Sequence, residues 1–260
     1  MALLEVKGCV MRFRGVLAVS GFSASLERGK IYGLIGTNGA GKTTVINCLS
    51  GALRPKEGAI TFDGQDITGG RPDRIAALGI LRTYQNLRLF GKMTVLENAI
   101  IGAQMGMRYS MLDAVLRTGR YRETERLLRE KAMLMLSAMN IAEYADAVAG
   151  SLPYGLQRRL EIARILAANP RLLLLDEPAA GMNPSESAEL CERIRAIRDA
   201  HDLTILLIEH DMRVVMNLCE YIYVMATGRI IAEGGPGEIR DNPDVISAYL
   251  GGLMSARQPE

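Results

Sequence analysis

Alternating apolar and polar positions mark residues 3–14 and 22–28 as short strands, with Phe22, Ala24 and Leu26 on one face. Ala59–Phe62 reads as a third strand and runs into Asp63-Gly64, a pair that favours a tight hairpin turn. Short strands this close in sequence predict an antiparallel layer near the N-terminus. Ile31–Ile35 differs in being unbroken apolar, as a strand buried on both faces must be. A glycine-rich segment follows it, then a helical pattern from about Lys42 to Ser50, stopped by Gly51 and Pro55. Strand, loop and helix in that order are the repeating unit of a parallel α/β core.

From 92 to 168 strand signals vanish, and helix formers and methionines dominate, among them Met93, Met105, Met107, Met111, Met133, Met135 and Met139. The methionines read as core filler, with an adaptable surface for a partner helix as the other reading. Residues 121–139 form one long helical pattern. The α/β pattern resumes at Leu172–Leu175. A helix then starts with Asn183 as cap, Pro184 at its first position and Glu186 completing a capping box. Leu190, Ile194 and Ile197 form its inner stripe. Strands at Thr204–Ile208 and Tyr221–Met225 follow, and the tail from Gly234 reads as loop and short helix.

Composition narrows the class. The 260 residues are 48% apolar, enough for a large α/β core, and 31 basic residues nearly balance 29 acidic ones. With no long basic block, nucleic acid is not an expected partner. No apolar run approaches the ~18 residues that read as a membrane span. Glu5, Lys7, Arg12 and Arg14 make the first residues unlike a signal peptide. Cys9, Cys48, Cys191 and Cys219 lack metal-type spacing and read as buried, reduced thiols.

The chemistry is concentrated in a few segments. Gly36-Thr-Asn-Gly-Ala-Gly41-Lys42-Thr43 matches the phosphate-loop pattern GxxxxGK[ST] in full. Its glycines let successive N–H groups face a phosphate, and the helix N-terminus adds positive potential at the same spot. Lys42 can reach the β- and γ-phosphates, and the Thr43 hydroxyl can ligate Mg²⁺. The apolar strand Leu172–Leu175 ends in Asp176 and Glu177, at the strand edge where ligands sit in open α/β sheets. Asp176 suits Mg²⁺, and Glu177 suits a general base for water. His210 follows another core strand by two residues and is either structural or a γ-phosphate contact. Gln85, at the edge of the helical stretch, is either a solvated amide or a sensor of Mg²⁺ and attacking water.

The order of phosphate loop, Gln85, Leu152-Pro-Tyr-Gly-Leu-Gln-Arg-Arg159, acidic strand end and late histidine resembles the ATP-binding-cassette family over essentially the whole chain. The resemblance implies an α/β fold. Its core would be a P-loop NTPase of RecA-like type with an antiparallel β layer, residues 1–91 and 166–260, carrying an inserted helical subdomain, residues 92–165. It implies ATP held by Gly36, Thr37, Asn38, Gly39, Ala40, Gly41, Lys42, Thr43 and Thr44, with Phe13 stacked on adenine. It implies Mg²⁺ near Thr43, Gln85 and Asp176, and catalysis by Glu177, His210 and Gln85. Ser151–Gln157 would be the family signature. Through Tyr154 and Gly155 it would reach ATP bound by a second cassette, packed head to tail, with Ala179–Asn183 crossing that interface. One departure stands out. Pro153 replaces the serine of the usual Leu-Ser-Gly-Gly-Gln, and is expected at the first turn of a helix after Ser151 or Leu152.

Residues 79–90, 158–164, 176–184 and 237–250 further resemble the ATP-binding subunit of branched-chain amino-acid importers. That likeness implies permease subunits in the membrane, a substrate-binding protein beyond them, and a peripheral place on the cytoplasmic membrane face. An iron–sulfur assembly ATPase and a lipopolysaccharide-export cassette are the rival readings.

Overall fold

The computed structural model describes residues 2–85, 87–105 and 118–255. Met107 and Met111 lie outside them. The chain divides into two compact units. The first comprises 1–82, 171–177 and 198–260, and the second 83–170 and 178–197, a wider span than the 92–165 expected for the helical part.

The first unit holds two sheets. Strands β1 (Ala2–Phe13), β2 (Val16–Glu27), β4 (Glu57–Phe62) and β5 (Gln65–Asp66) form an antiparallel sheet in the order β2-β1-β4-β5. The β4–β5 hairpin turns at Asp63 and Gly64, whose φ values of 48° and 78° are those of a two-residue I′ turn. The second sheet has the order β10-β9-β3-β8-β7-β6. Its members are β3 (Ile31–Gly36), β6 (Ile80–Arg82), β7 (Leu172–Asp176), β8 (Thr204–Ile208), β9 (Tyr221–Ala226) and β10 (Arg229–Gly234). All neighbours are parallel except β9 and β10. Every residue of β3, β7 and β8 is buried, so continuous apolar runs replace alternation. Leu34, Leu174 and Leu206 of one sheet share a core with Leu4, Val6, Phe22 and Ile60 of the other. Helix α1 (Lys42–Leu49) contributes Val45 and Ile46 to it, and Ile75 of the short helix α2 (Pro72–Ala77) closes the same core.

The second unit is helical, built on α3 (Val95–Ala103), α4 (Gly119–Ala138), α5 (Tyr154–Leu166) and most of α6 (Pro184–His201). Thr94 and Glu97 form a reciprocal capping box that starts α3. Buried Asn98 bonds Phe90 O at 3.1 Å and Thr94 O at 2.9 Å, fixing the approach to that helix. Asn183 and Glu186 cap α6 in the same reciprocal way, both at 3.0 Å. Met135 and Met139 are buried here while Met105 is exposed, so the methionines serve both core and surface. The tail of the first unit carries α7 (Met212–Leu218), α8 (Pro236–Arg240) and α9 (Pro243–Ser255). Among the described residues no helix is long and apolar enough to cross a membrane. All four cysteines are free and buried, as expected.

Candidate functional site

In the first unit, strand register brings the candidate residues to one sheet edge. Leu34 of β3 lies level with Ile208 of β8, and Ile208 with Asp176 of β7. With ~4.8 Å between neighbouring strands, the loop leaving β3 and the acids ending β7 start roughly 10 Å apart.

The loop from Gly36 to Gly41 is shaped by close approach. At Gly36 a Cβ would sit 2.1 Å from Met225 O, and at Gly41, with φ 103°, 2.5 Å from Ala18 O. Only glycine fits either place, which seats the loop against β9 and β2. Gly41 caps α1 without a side chain, so the first turn keeps its N–H groups for an external acceptor. Lys42 is 9% exposed, and its ammonium donates to Gly36 O at 2.7 Å and Thr37 O at 3.0 Å. Burial pushes its pKa down, opposed by the nearby charges of Glu177 and Asp176. Thr43 is exposed on the first turn and Thr44 half-buried. Phe13 ends β1 and is 42% exposed, an open apolar ring rather than a core residue.

Asp176 is buried, and Arg82 donates to its Oδ2 at 3.0 Å while also bonding Asn47 on α1. This arginine ties strand β6 to both the acid and the phosphate-loop helix, a role the sequence reading missed. Glu177 has φ 49°, an uncommon left-handed conformation for a glutamate, and its N–H donates to Ile208 O at 2.9 Å. A backbone held there costs ~1–3 kcal/mol, and such strain clusters where a side chain must be aimed. His210 Nδ1 is 3.8 Å from Glu177 Oε1 and 3.9 Å from Oε2 of Glu209, a buried carboxylate. Glu209 was also missed. Its signal was a charged residue closing an apolar strand just before the histidine.

The remaining candidates belong to the second unit. Gln85 is exposed, next to Tyr84, whose carbonyl accepts from Arg158 at 2.7 Å. Arg158 is wholly buried on α5. It pairs with Glu161 at 2.6 Å and also donates to Pro178 O at 3.4 Å. Pro153 is the cap residue before α5, with φ −52° and ψ 149°, not a residue of its first turn as expected. With no side-chain oxygen to accept from the first-turn N–H groups, it leaves α5 without a side-chain cap. Ser151 does not replace it, since its hydroxyl donates to Val148 O at 2.8 Å. Tyr154 is 43% exposed and lies against Gly181, where a Cβ would meet its ring at 3.4 Å, and Gly155 faces Glu186.

The site fits a triphosphate with a hard cation. Its loop offers N–H groups and a desolvated lysine, and its acids offer oxygen. Among the described residues no cluster of three or more His, Cys, Asp or Glu could hold a metal by itself. Mg²⁺ is commonly held by one or two carboxylates together with substrate phosphates.

Comparison with known proteins agrees with this geometry. An ABC transporter family model matches residues 19–180, and a branched-chain amino acid ATP-binding cassette transporter model matches 229–252. The chain is 47% identical over 249 residues to the high-affinity branched-chain amino acid transport ATP-binding protein BraF of Pseudomonas aeruginosa, covering 96% of this chain and 98% of that one. It is 45% identical over the same coverage to LivG of Escherichia coli, which carries the same description. A nucleotide-free ATP-binding cassette from an ABC transporter superposes with a TM-score of 0.82 at 34% identity, covering 96% of this chain and 99% of that one. The ADP conformation of another such cassette gives 0.84 at 33%, with the same coverage. Glycine-wrapped loop, acid pair and end-to-end likeness agree: the chain belongs to the ABC transporter family, as one of its ATP-binding cassettes, with a P-loop NTPase fold.

Proposed function

We propose that this chain binds and hydrolyses ATP to energise import of branched-chain amino acids or closely related amino acids and amides. One observation supports the chemistry above all: strand register sets the loop that leaves β3 and carries Lys42 beside Asp176 and Glu177 at a single sheet edge. The substrate class rests on the transporters named among its relatives.

In this reading the loop from Gly36 to Thr44 wraps the phosphates, Lys42 neutralises the β- and γ-oxygens, and Phe13 offers its open ring to adenine. Thr43 and Asp176 would hold Mg²⁺, which when bound would screen the phosphate charge. Glu177 accepts the proton of the attacking water as its oxygen bonds to the γ-phosphorus and the bond to the β-phosphate oxygen breaks. His210, between two carboxylates, holds the γ-phosphate side. Tyr154, Gly155 and the start of α5 serve the nucleotide of a second cassette in a head-to-tail dimer. That dimer works against permease subunits at the cytoplasmic membrane face, with a substrate-binding protein on the far side.

Two variants test it. Glu177→Gln should keep ATP affinity and lose ~10²–10⁴-fold in turnover, as general-base removal does, whereas Lys42→Ala should lose affinity as well. Phosphate release and labelled-nucleotide binding read the two effects. Retained turnover in Glu177→Gln would overturn the assignment of the base. Leucine uptake by proteoliposomes holding the assembled complex tests the substrate class.

A further inference from the structure

We propose a second binding site in the first unit, for a small organic monocation such as an alkylammonium, in a cavity of about 570 Å³ floored by Tyr32, Tyr221 and Tyr223. It goes beyond the nucleotide reading and depends on none of its residues.

Strand register builds the floor. Tyr32 pairs with Tyr221 and Leu34 with Tyr223 across parallel β3 and β9, so the period of two puts all three tyrosines on one face. Ring centroids are 6.2 Å apart for Tyr32–Tyr221, 6.3 Å for Tyr32–Tyr223 and 5.3 Å for Tyr221–Tyr223. Tyr32 and Tyr223 are near parallel at 20° and both meet Tyr221 edge-on, at 60° and 62°, so half-buried Tyr221 turns its face in a different direction from the other two. Tyr32 and Tyr223 are pinned. The Tyr32 hydroxyl accepts from Glu27 N at 2.8 Å, and that of Tyr223 bonds both backbone groups of Ser25 at 3.0 Å. Tyr221 is half-buried, and its hydroxyl makes no hydrogen bond among the described residues.

The walls supply the charge. Glu5, Glu27, Glu220 and Glu233 line it with Lys7 and Lys30, and with Arg198 paired to Glu220 the local formal charge is −1. Glu5 pairs with Lys7, Glu27 with Lys30 and Glu220 with Arg198. Glu233 has no ion pair among the described residues, and its charge raises the pKa of both Tyr221 and Tyr223, after burial in each case. An unpaired carboxylate beside clustered aromatic rings is the combination that a weakly hydrated cation satisfies and a neutral molecule does not. The volume lies within the ~300–1,000 Å³ of small-molecule sites. Tyr221 starts β9, whereas the phosphate loop leaves the far end of β3 at Gly36, so the two sites occupy opposite strand ends.

Choline and its neutral isostere 3,3-dimethylbutan-1-ol, titrated into the full chain by equilibrium dialysis, give the test. Choline should bind saturably, the isostere at least about tenfold more weakly, and Glu233→Gln and Tyr221→Leu should each weaken choline about tenfold. Glu233 is exposed and glutamine keeps its shape, so this variant folds whatever Tyr221→Leu does. Absence of saturable choline binding, equal binding of the isostere, or undiminished binding to Glu233→Gln would each overturn the proposal.

Discussion

Arg158 and Glu161 form an ion pair whose side chains are 0% and 1% exposed, so a double-mutant cycle should expose its cost structure clearly. Replacing Arg158 by Met leaves the Glu161 carboxylate in a dry interior without its cation, which costs ~3–5 kcal/mol. At roughly 2–4 °C per kcal/mol for a chain of this size, the melting temperature should fall by about 6–20 °C. Glu161→Met strands the guanidinium and should cost a similar amount. The double Met variant removes both charges. Its residual loss comes from the Tyr84 and Pro178 carbonyls that Arg158 served, ~1 kcal/mol each. Glu161 Oε1 has no partner among the described residues, so the wild-type carboxylate is only half satisfied. The double variant should therefore be more stable than either single one by ~1–3 kcal/mol. Urea unfolding followed by circular dichroism measures all four corners. A double variant no more stable than the milder single one would refute the reasoning.

Pro153→Ser supplies the cap hydroxyl that α5 lacks and should stabilise the chain by ~1 kcal/mol. In the assembled complex it should also raise ATP turnover, and no change in either measurement would count against the reading of the signature. Gly102→Ala pushes a methyl to 1.8 Å from Arg164 O, so α3 and α5 must part at ~1–3 kcal/mol or more, visible as a lower unfolding midpoint. Glu189 is held below its usual 4.5 chiefly by hydrogen bonds from Arg159, at 2.8 and 2.5 Å, against the opposing pull of desolvation. A carboxyl with a depressed folded-state pKa stabilises fully above its unfolded value and loses that contribution as pH falls through the folded one. Glu189→Gln should thus be less stable than wild type at pH 7 and much closer to it near ~pH 3; equal deficits at both would exclude this linkage.

Strands β3, β7 and β8 were legible because burial on both faces writes them as apolar runs. The start of α6 was legible because Asn183, Pro184 and Glu186 carry local capping chemistry. Other elements left weaker traces. Strand β6 has three residues, too few for any periodicity, and β10 is a half-buried edge whose pattern is diluted. Helix α7 is only seven residues long. At the site, the phosphate loop and acid pair are contiguous motifs and stood out at once. The bond from Arg82 to Asp176 joins residues 94 apart, and only the sheet order makes them neighbours. Pro153 was misplaced by one step, since its ring suits both a cap and a first helical residue and ψ decides between them.

Arg82 and Glu177 are the points where the chain departs the sheet-bearing unit, and they end adjacent parallel strands joined by the Arg82–Asp176 bond. Both departing backbones are therefore anchored within a residue of one carboxylate. Torsion arriving along either thread must load that same anchor, so segments remote in sequence share a single mechanical fuse at one sheet edge.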